Sequence, residues 1–273
     1  MLDIIKEMLS YGFVVRALIV GILVALCSSL LGVSLVLKRY SMIGDGLSHV
    51  SFGALSFAMA FNLAPLQVSI PVVVAAAFLL LRLSESSKIK GDAAIAVISS
   101  SALAIGVIVT SLTSGLNVDV CGYMFGSIFA IDKSDVYLSV ALSVVILVLF
   151  VFFYNKIFAV TFDEAFATAT GTKTKVYNML IAFLTAITVV IGMRMMGALL
   201  ISSLIIFPAL TSMRVCRSFR SVVISSAIIS VLCFTVGMIL SFFLDLPAGA
   251  SVVAVNLTAF ACFSLAGFCI SKK

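Results

Sequence analysis

Residues 11–37 read YGFVVRALIVGILVALCSSLLGVSLVL, an apolar run interrupted by a single charge, Arg16. About 20 apolar residues in a helix cross the hydrocarbon layer of a bilayer. In lipid a spanning segment must satisfy its own backbone N–H and C=O groups, so this stretch is predicted to be a transmembrane α-helix. The pattern recurs along the chain at 41–63, 66–83, 92–112, 135–155, 177–193, 195–213, 221–244 and 249–270. Between the sixth and seventh runs, residues 193–197 read as a tight turn or as a kink in one longer path. The expectation is an all-α, polytopic transmembrane helical bundle of about nine spans, forming a single domain over 1–273. Composition agrees. The chain is 63% hydrophobic and only 10% charged, against about 45–50% and 25% in soluble domains.

Lys and Arg punctuate the runs instead of forming a patch, which argues against nucleic-acid binding despite the net charge of +6. Of the 17 basic residues, alternate connections hold Lys38 and Arg39; Arg82, Lys88 and Lys90; Lys156, Lys173 and Lys175; Arg214, Arg217 and Arg220; and Lys272 and Lys273. The opposite side receives Lys6, Arg16, Lys133 and Arg194. Basic loops stay in the cytoplasm, so the N-terminus is expected outside and the C-terminus inside. The first ten residues, MLDIIKEMLS, lack a basic region and a small-residue cleavage site, and read as an amphipathic segment at the membrane surface and not a signal peptide. The six cysteines include no Cys-x-x-Cys pair and read as small apolar residues.

Two connections are longer than turns. Residues 113–134 mix glycine, aromatic and acidic residues and could partly re-enter the bilayer. Asp119 and Asp132 there read as solvated loop acids or as a cation funnel, and Gly122 with Gly126 forms a packing motif. Residues 156–176 contain a stretch, Asp163 to Thr170, with acids in front, small residues behind and Gly171 to close it. That is the signature of a short helix with a glycine C-cap, exposed enough to be a docking element at about 161–171.

Asp45 and His49 are the residues most suited to chemistry. Their i, i+4 spacing puts both side chains on one helix face. Ionisable groups inside a membrane run are costly and mark function by default, and a carboxylate with an imidazole suits a divalent transition metal. Two bland readings stand beside this one: a packed, hydrogen-bonded histidine, and Asp45 as the interfacial partner of Lys38 or Arg39. Two ligands are also too few for a metal, and a two-fold dimer would double them. Arg194 reads as an interface anchor or a path residue, Met195 as core or a soft ligand, Gly197 as a close-packing position and Pro208 as a kink. No glycine precedes a lysine, so there is no nucleotide-binding Walker A loop, and no hydrolase motif is present.

Three stretches carry a family resemblance. GDGLSHVSFGALSFA, after Lys38 and Arg39, resembles the Gly-Asp-x-Leu-x-His segment of the permease subunits of ABC importers for zinc, manganese and iron. TFDEAFATATG is similar to that family's cytoplasmic coupling segment, and RMMGALLISSLIIFPALTS to its Arg-x-x-Gly-x-Leu-Leu stretch ending in Pro-Ala. The resemblance implies a homodimeric, multi-pass permease in a prokaryotic plasma membrane. Its implied partners are cytoplasmic ATP-binding subunits and an extracytoplasmic metal-binding protein. It has no ATPase site of its own and no permanently bound cofactor, and its cargo is manganese, zinc or iron. By the same resemblance, Asp45 and His49 lie on the metal path. Asp163, Glu164, Ala165, Phe166 and Gly171 couple to the ATPase, and Arg194, Met195, Gly197 and Pro208 belong to the path or its gate. Gly46 departs from the family's usual Ala or Thr, which should loosen the helix there. A self-sufficient secondary transporter or channel for divalent metals is the competing reading, though it would need no docking helix. A non-transporting scaffold would need no buried Asp45 and His49.

Overall fold

The computed structural model describes residues 10–85, 91–113 and 133–271. The N-terminal surface segment, Lys88 and Lys90, the long connection with Asp119, Cys121, Gly122, Gly126 and Asp132, and the two terminal lysines lie outside the described residues. Within them the protein is helical throughout, with no strand. The helices are α1 (Gly12–Leu37), α2 (Ile43–Ala60), α3 (Pro65–Glu85), α4 (Gly91–Leu112), α5 (Lys133–Phe152), α6 (Tyr154–Phe162), α7 (Glu164–Ala169), α8 (Thr174–Met196), α9 (Ala198–Met213), α10 (Phe219–Leu244) and α11 (Ala248–Ser271).

Each apolar run of the sequence falls on a helix. Seven of the described helices are long and apolar enough to cross a membrane: α1, α3, α4, α5, α8, α10 and α11. The other two runs became α2, whose 18 residues include Asp45, His49 and several glycines and serines, and α9, which has only 16 residues.

One expectation needs revision. The run at 135–155 does not continue to its predicted end. α5 stops at Phe152, Phe153 leaves helical geometry at φ −94°, ψ 11°, and a separate helix, α6, follows to Phe162. The connection after it is therefore mostly helical, and the segment 161–171 is not one element. Thr161 and Phe162 close α6, and α7 begins at Glu164.

α1 and α8 are the most enclosed spans, and α4, α5 and α11 are the least. Lipid supplies no hydrophobic drive between helices, so close backbone approach and interhelical hydrogen bonds hold the bundle. Both occur along α1. A Cβ added to Gly32 would lie 2.0 Å from the Ile205 carbonyl oxygen of α9. One and two turns earlier in α1, the hydroxyls of Ser226 and Ser230 on α10 donate to the Ser29 and Ala25 carbonyls at 3.3 and 2.9 Å.

The α8–α9 junction is a reversal and not a kink. Along α8 the neighbours on α1 run from Lys38, bonded by Asn178, up to Gly21, beside Met196. Along α9 they run back from Val24, near Ile201, to Gly32 at Ile205. The turn is made at Gly197, with φ 87° and ψ 163°. That backbone region is essentially closed to any residue with a Cβ.

Candidate functional site

α2 and α9 meet by their first turns. Asp45 lies in the first turn of α2, where the positive end of the helix dipole favours a carboxylate. Ser202 lies one turn into α9, and its hydroxyl reaches Asp45 Oδ1 at 3.3 Å while also lying 3.0 Å from the Ala198 carbonyl. From Ser202 to Met213 the helix rises about 16 Å, roughly half of a hydrocarbon layer about 30 Å thick. Asp45 is therefore held at depth, although only a short turn separates it in sequence from Lys38 and Arg39.

The other carboxylate oxygen faces the histidine. His49 Nε2 is 3.7 Å from Asp45 Oδ2, too long for a hydrogen bond. The separation suits a shared ion: two donors each about 2.1 Å from a metal and 3.7 Å apart subtend roughly 120° at it. The Ser202 contact occupies Oδ1 and leaves Oδ2 turned toward His49, which is how outer groups orient metal ligands. The Asp45 side chain is 40% exposed and that of His49 17%, so the pair opens onto the surface of the protomer. Among the described residues no group of three His, Cys, Asp or Glu could hold a metal. Within one copy the two donors stand together without a third.

The ion pair between Asp45 and Lys38, one of the two bland readings of Asp45, is not formed. Lys38 turns away from Asp45, and its ammonium donates to Glu164 Oε2 at 3.2 Å and to the side-chain oxygen of Asn178. Gly46 acts against its expected loosening effect. A Cβ there would meet the Ile95 side chain at 2.7 Å, so the glycine lets α2 and α4 pack closely.

The path candidates are distributed differently. Arg194 donates through two nitrogens to Asp135 Oδ2, at 2.8 and 2.6 Å, pinning the end of α8 to the start of α5. Met195 is buried in the core. Gly197 makes the reversal that delivers Ser202. Pro208 is buried inside α9, and the Ser212 hydroxyl donates to its carbonyl at 2.8 Å.

The short helix α7 has the expected build. Asp163 caps it, its carboxylate accepting from the Phe166 N–H at 2.9 Å. Gly171 closes it at φ 82°. The Phe166 ring is 67% exposed, and Ala165 also faces outward. The Glu164 side chain, 48% exposed, bonds across to Lys38 and Asn178.

Ser202, Asn178 and Asp135 are the residues that sequence reasoning did not single out. Each is a common polar residue made significant by a partner 59 to 157 positions away.

Residues 10–267 match the ABC 3 transport family. The chain is 31% identical to the high-affinity zinc uptake system membrane protein ZnuB of Haemophilus influenzae over 87% of this chain and 91% of that one. It is 25% identical to the manganese transport system membrane protein MntC of Halalkalibacterium halodurans, over 93% and 87%. Among solved structures it superimposes on PsaBC from Streptococcus pneumoniae, in complex with Fab, with a TM-score of 0.85 and 26% identity, covering 96% of this chain and 94% of the other.

Proposed function

The chain belongs to the ABC 3 transport family, the metal-transporting ABC permeases, and on that premise we propose that it carries divalent transition-metal ions through the Asp45–His49 pair. The protein itself is the membrane subunit and not an ATPase. The observation that carries the reading is the pair's geometry: an oxygen and a nitrogen donor 3.7 Å apart on one face of a polar membrane helix. Zinc and manganese relatives match over similar lengths, so the cargo is proposed as a class, Zn²⁺, Mn²⁺ or Fe²⁺, and not as one ion.

The finer reading follows from the same pair. Two donors are too few for an ion, and both open onto the protomer surface. We therefore read the working unit as a homodimer whose two-fold axis brings two Asp45 and two His49 together. An open four-ligand site of this kind holds an ion loosely enough to pass it on. The reading includes nine spans in one domain, with α2 and α9 counted as the two short ones, an external N-terminus and the basic connections inside, in a prokaryotic plasma membrane. α7, with exposed Phe166 and its Asp163 cap, docks on cytoplasmic ATP-binding subunits, and an extracytoplasmic protein delivers the metal. Arg194, Met195, Gly197 and Pro208 shape the path from α8 and α9 without ligating.

The test is uptake of Zn²⁺, Mn²⁺ and Fe²⁺ into proteoliposomes holding the permease with its ATP-binding subunits. Asp45→Asn and His49→Ala are each expected to abolish uptake while the complex still co-purifies. Normal uptake in both variants would overturn the site.

A further inference from the structure

Glu164 sits on the docking helix, and exposure alone would assign it to the surface that meets an ATPase. Its side chain is spent elsewhere. Oε2 is 3.2 Å from the Lys38 ammonium, and Oε1 accepts from Asn178 Nδ2 at 2.8 Å. Lys38 and Asn178 are themselves hydrogen-bonded, so the three side chains close a triangle between α7, the end of α1 and the start of α8. Lys38 is only 10% exposed. A cation that enclosed needs a hydrogen-bonded counter-charge, and no other acid bonds to it among the described residues.

The two corners of the triangle lead to the same place. From Lys38 the chain passes Arg39, held at φ 62°, and a short turn, and enters α2 with Asp45 in its first turn. From Asn178 the helix α8 runs without a break to Met196, reverses at Gly197 and delivers Ser202 to Asp45 Oδ1. α8 is thus a rod with Asn178 near its start and the metal-site turn at its far end. One carboxylate on the docking helix grips both structural routes that converge on the candidate metal ligands.

We propose that Glu164 is a positioning residue that, through Lys38 and Asn178, ties the docking helix to both segments leading to Asp45. This rests on the permease reading above and refines it. Phe166 and its neighbours meet the ATPase, whereas Glu164 passes the resulting movement inward. Without the triangle, α7 keeps the contact between the Thr168 and Thr174 hydroxyls at 3.1 Å and the packing of buried Ala167, and no charged tie. It can then ride with the ATPase while α2 and α8 stay still.

The experiment measures metal taken up per ATP hydrolysed in proteoliposomes containing the full complex, with Zn²⁺, Mn²⁺ and Fe²⁺ supplied separately. The variants are Glu164→Gln, which keeps an acceptor for Asn178 but removes the charge, Lys38→Met and Lys38→Arg. Wild-type complex that neither transports nor responds to any of the three would count against the permease reading itself. Given a working wild type, Glu164→Gln and Lys38→Met should both co-purify with the ATP-binding subunits and still hydrolyse ATP. Uptake per ATP should fall at least about tenfold, the worth of one charge-assisted hydrogen bond, and Lys38→Arg should restore it. A purely structural role would lower uptake and hydrolysis together and leave the ratio unmoved, which would overturn the proposal. So would loss of co-purification in Glu164→Gln alone, which would make Glu164 an ATPase contact, or a Lys38→Arg variant no better than Lys38→Met. Should Lys38→Met fail to insert, Glu164→Gln decides the question alone.

Discussion

Replacing Gly32 by alanine tests the close approach of α1 to α9, the helix that carries Ser202. The added Cβ would sit 2.0 Å from the Ile205 carbonyl oxygen, 2.9 Å from the carbonyl carbon and 3.2 Å from Cα. A carbon tolerates an oxygen at about 3.3 Å, so α1 and α9 must part by roughly 1.3 Å. The obstacle is backbone, which cannot rotate aside. Overpacking of this kind costs about 1–3 kcal/mol. Alanine returns about 0.5–1 kcal/mol through its better helix propensity, so the clash wins.

The consequence reaches the metal ligands. The tip of Ile205 already lies 2.7 Å from where a Cβ would stand on Gly44, the residue before Asp45. Ile205 thus touches both α1 and the first turn of α2, and a shift of α9 off α1 disturbs its seat against α2. The Ser202–Asp45 contact, long at 3.3 Å, then leaves hydrogen-bonding range. Gly12→Ala is the control on the same helix, because nothing lies within 4 Å of its Cβ position. Thermal unfolding of the purified protein in detergent should show Gly32→Ala melting clearly below wild type and Gly12→Ala unchanged, with metal uptake reduced only in the former. A Gly32→Ala protein that melts at or above the wild-type temperature would refute the close α1–α9 packing.

Ser202→Ala should leave the fold intact and weaken metal binding by about tenfold or more, the usual cost of losing a group that orients a ligand. A metal titration showing unchanged affinity would remove Ser202 from the site. Gly197→Ala must hold φ 87° and ψ 163° with a side chain, at about 1–3 kcal/mol of strain. It should lower the unfolding temperature, and an unchanged one would mean that the reversal is not built as described.

The spans were readable in the sequence because lipid imposes a length and a composition on any helix that crosses it. The short helix α7 was readable because its signals are local: Asp163 and Glu164 at its start and Gly171 after its end. The Asp45–His49 pair was readable because i, i+4 spacing fixes a shared face. What escaped were relations across the chain. Nothing near Ser202, Asn178 or Asp135 announces a partner, and Lys38 chose Glu164, 126 residues away, over Asp45 close by. The break at Phe153 escaped for a local reason. It contains neither glycine nor proline, so the apolar run passed through it unmarked and α6 was absorbed into a connection.

The two apolar runs of the sequence whose helices fall short of an ordinary membrane span are the two that carry the candidate site. α2 lacks apolarity because it carries Asp45, His49 and the small residues around them, and α9 lacks length because it starts from a reversal inside the bundle. Neither shortfall is a defect of packing, since both helices are lined with buried residues. A full-length apolar helix in place of α9 would carry its first turn past the level of Asp45 and leave that carboxylate facing side chains with no hydroxyl to hold it. A more apolar α2 would have no ligands to hold. Helix N-termini inside a membrane protein favour anionic groups, and the one served by these two first turns is the Asp45 carboxylate. Here the interruption at Gly197 brings Ser202 to Asp45 Oδ1, and that contact leaves Oδ2 turned toward His49.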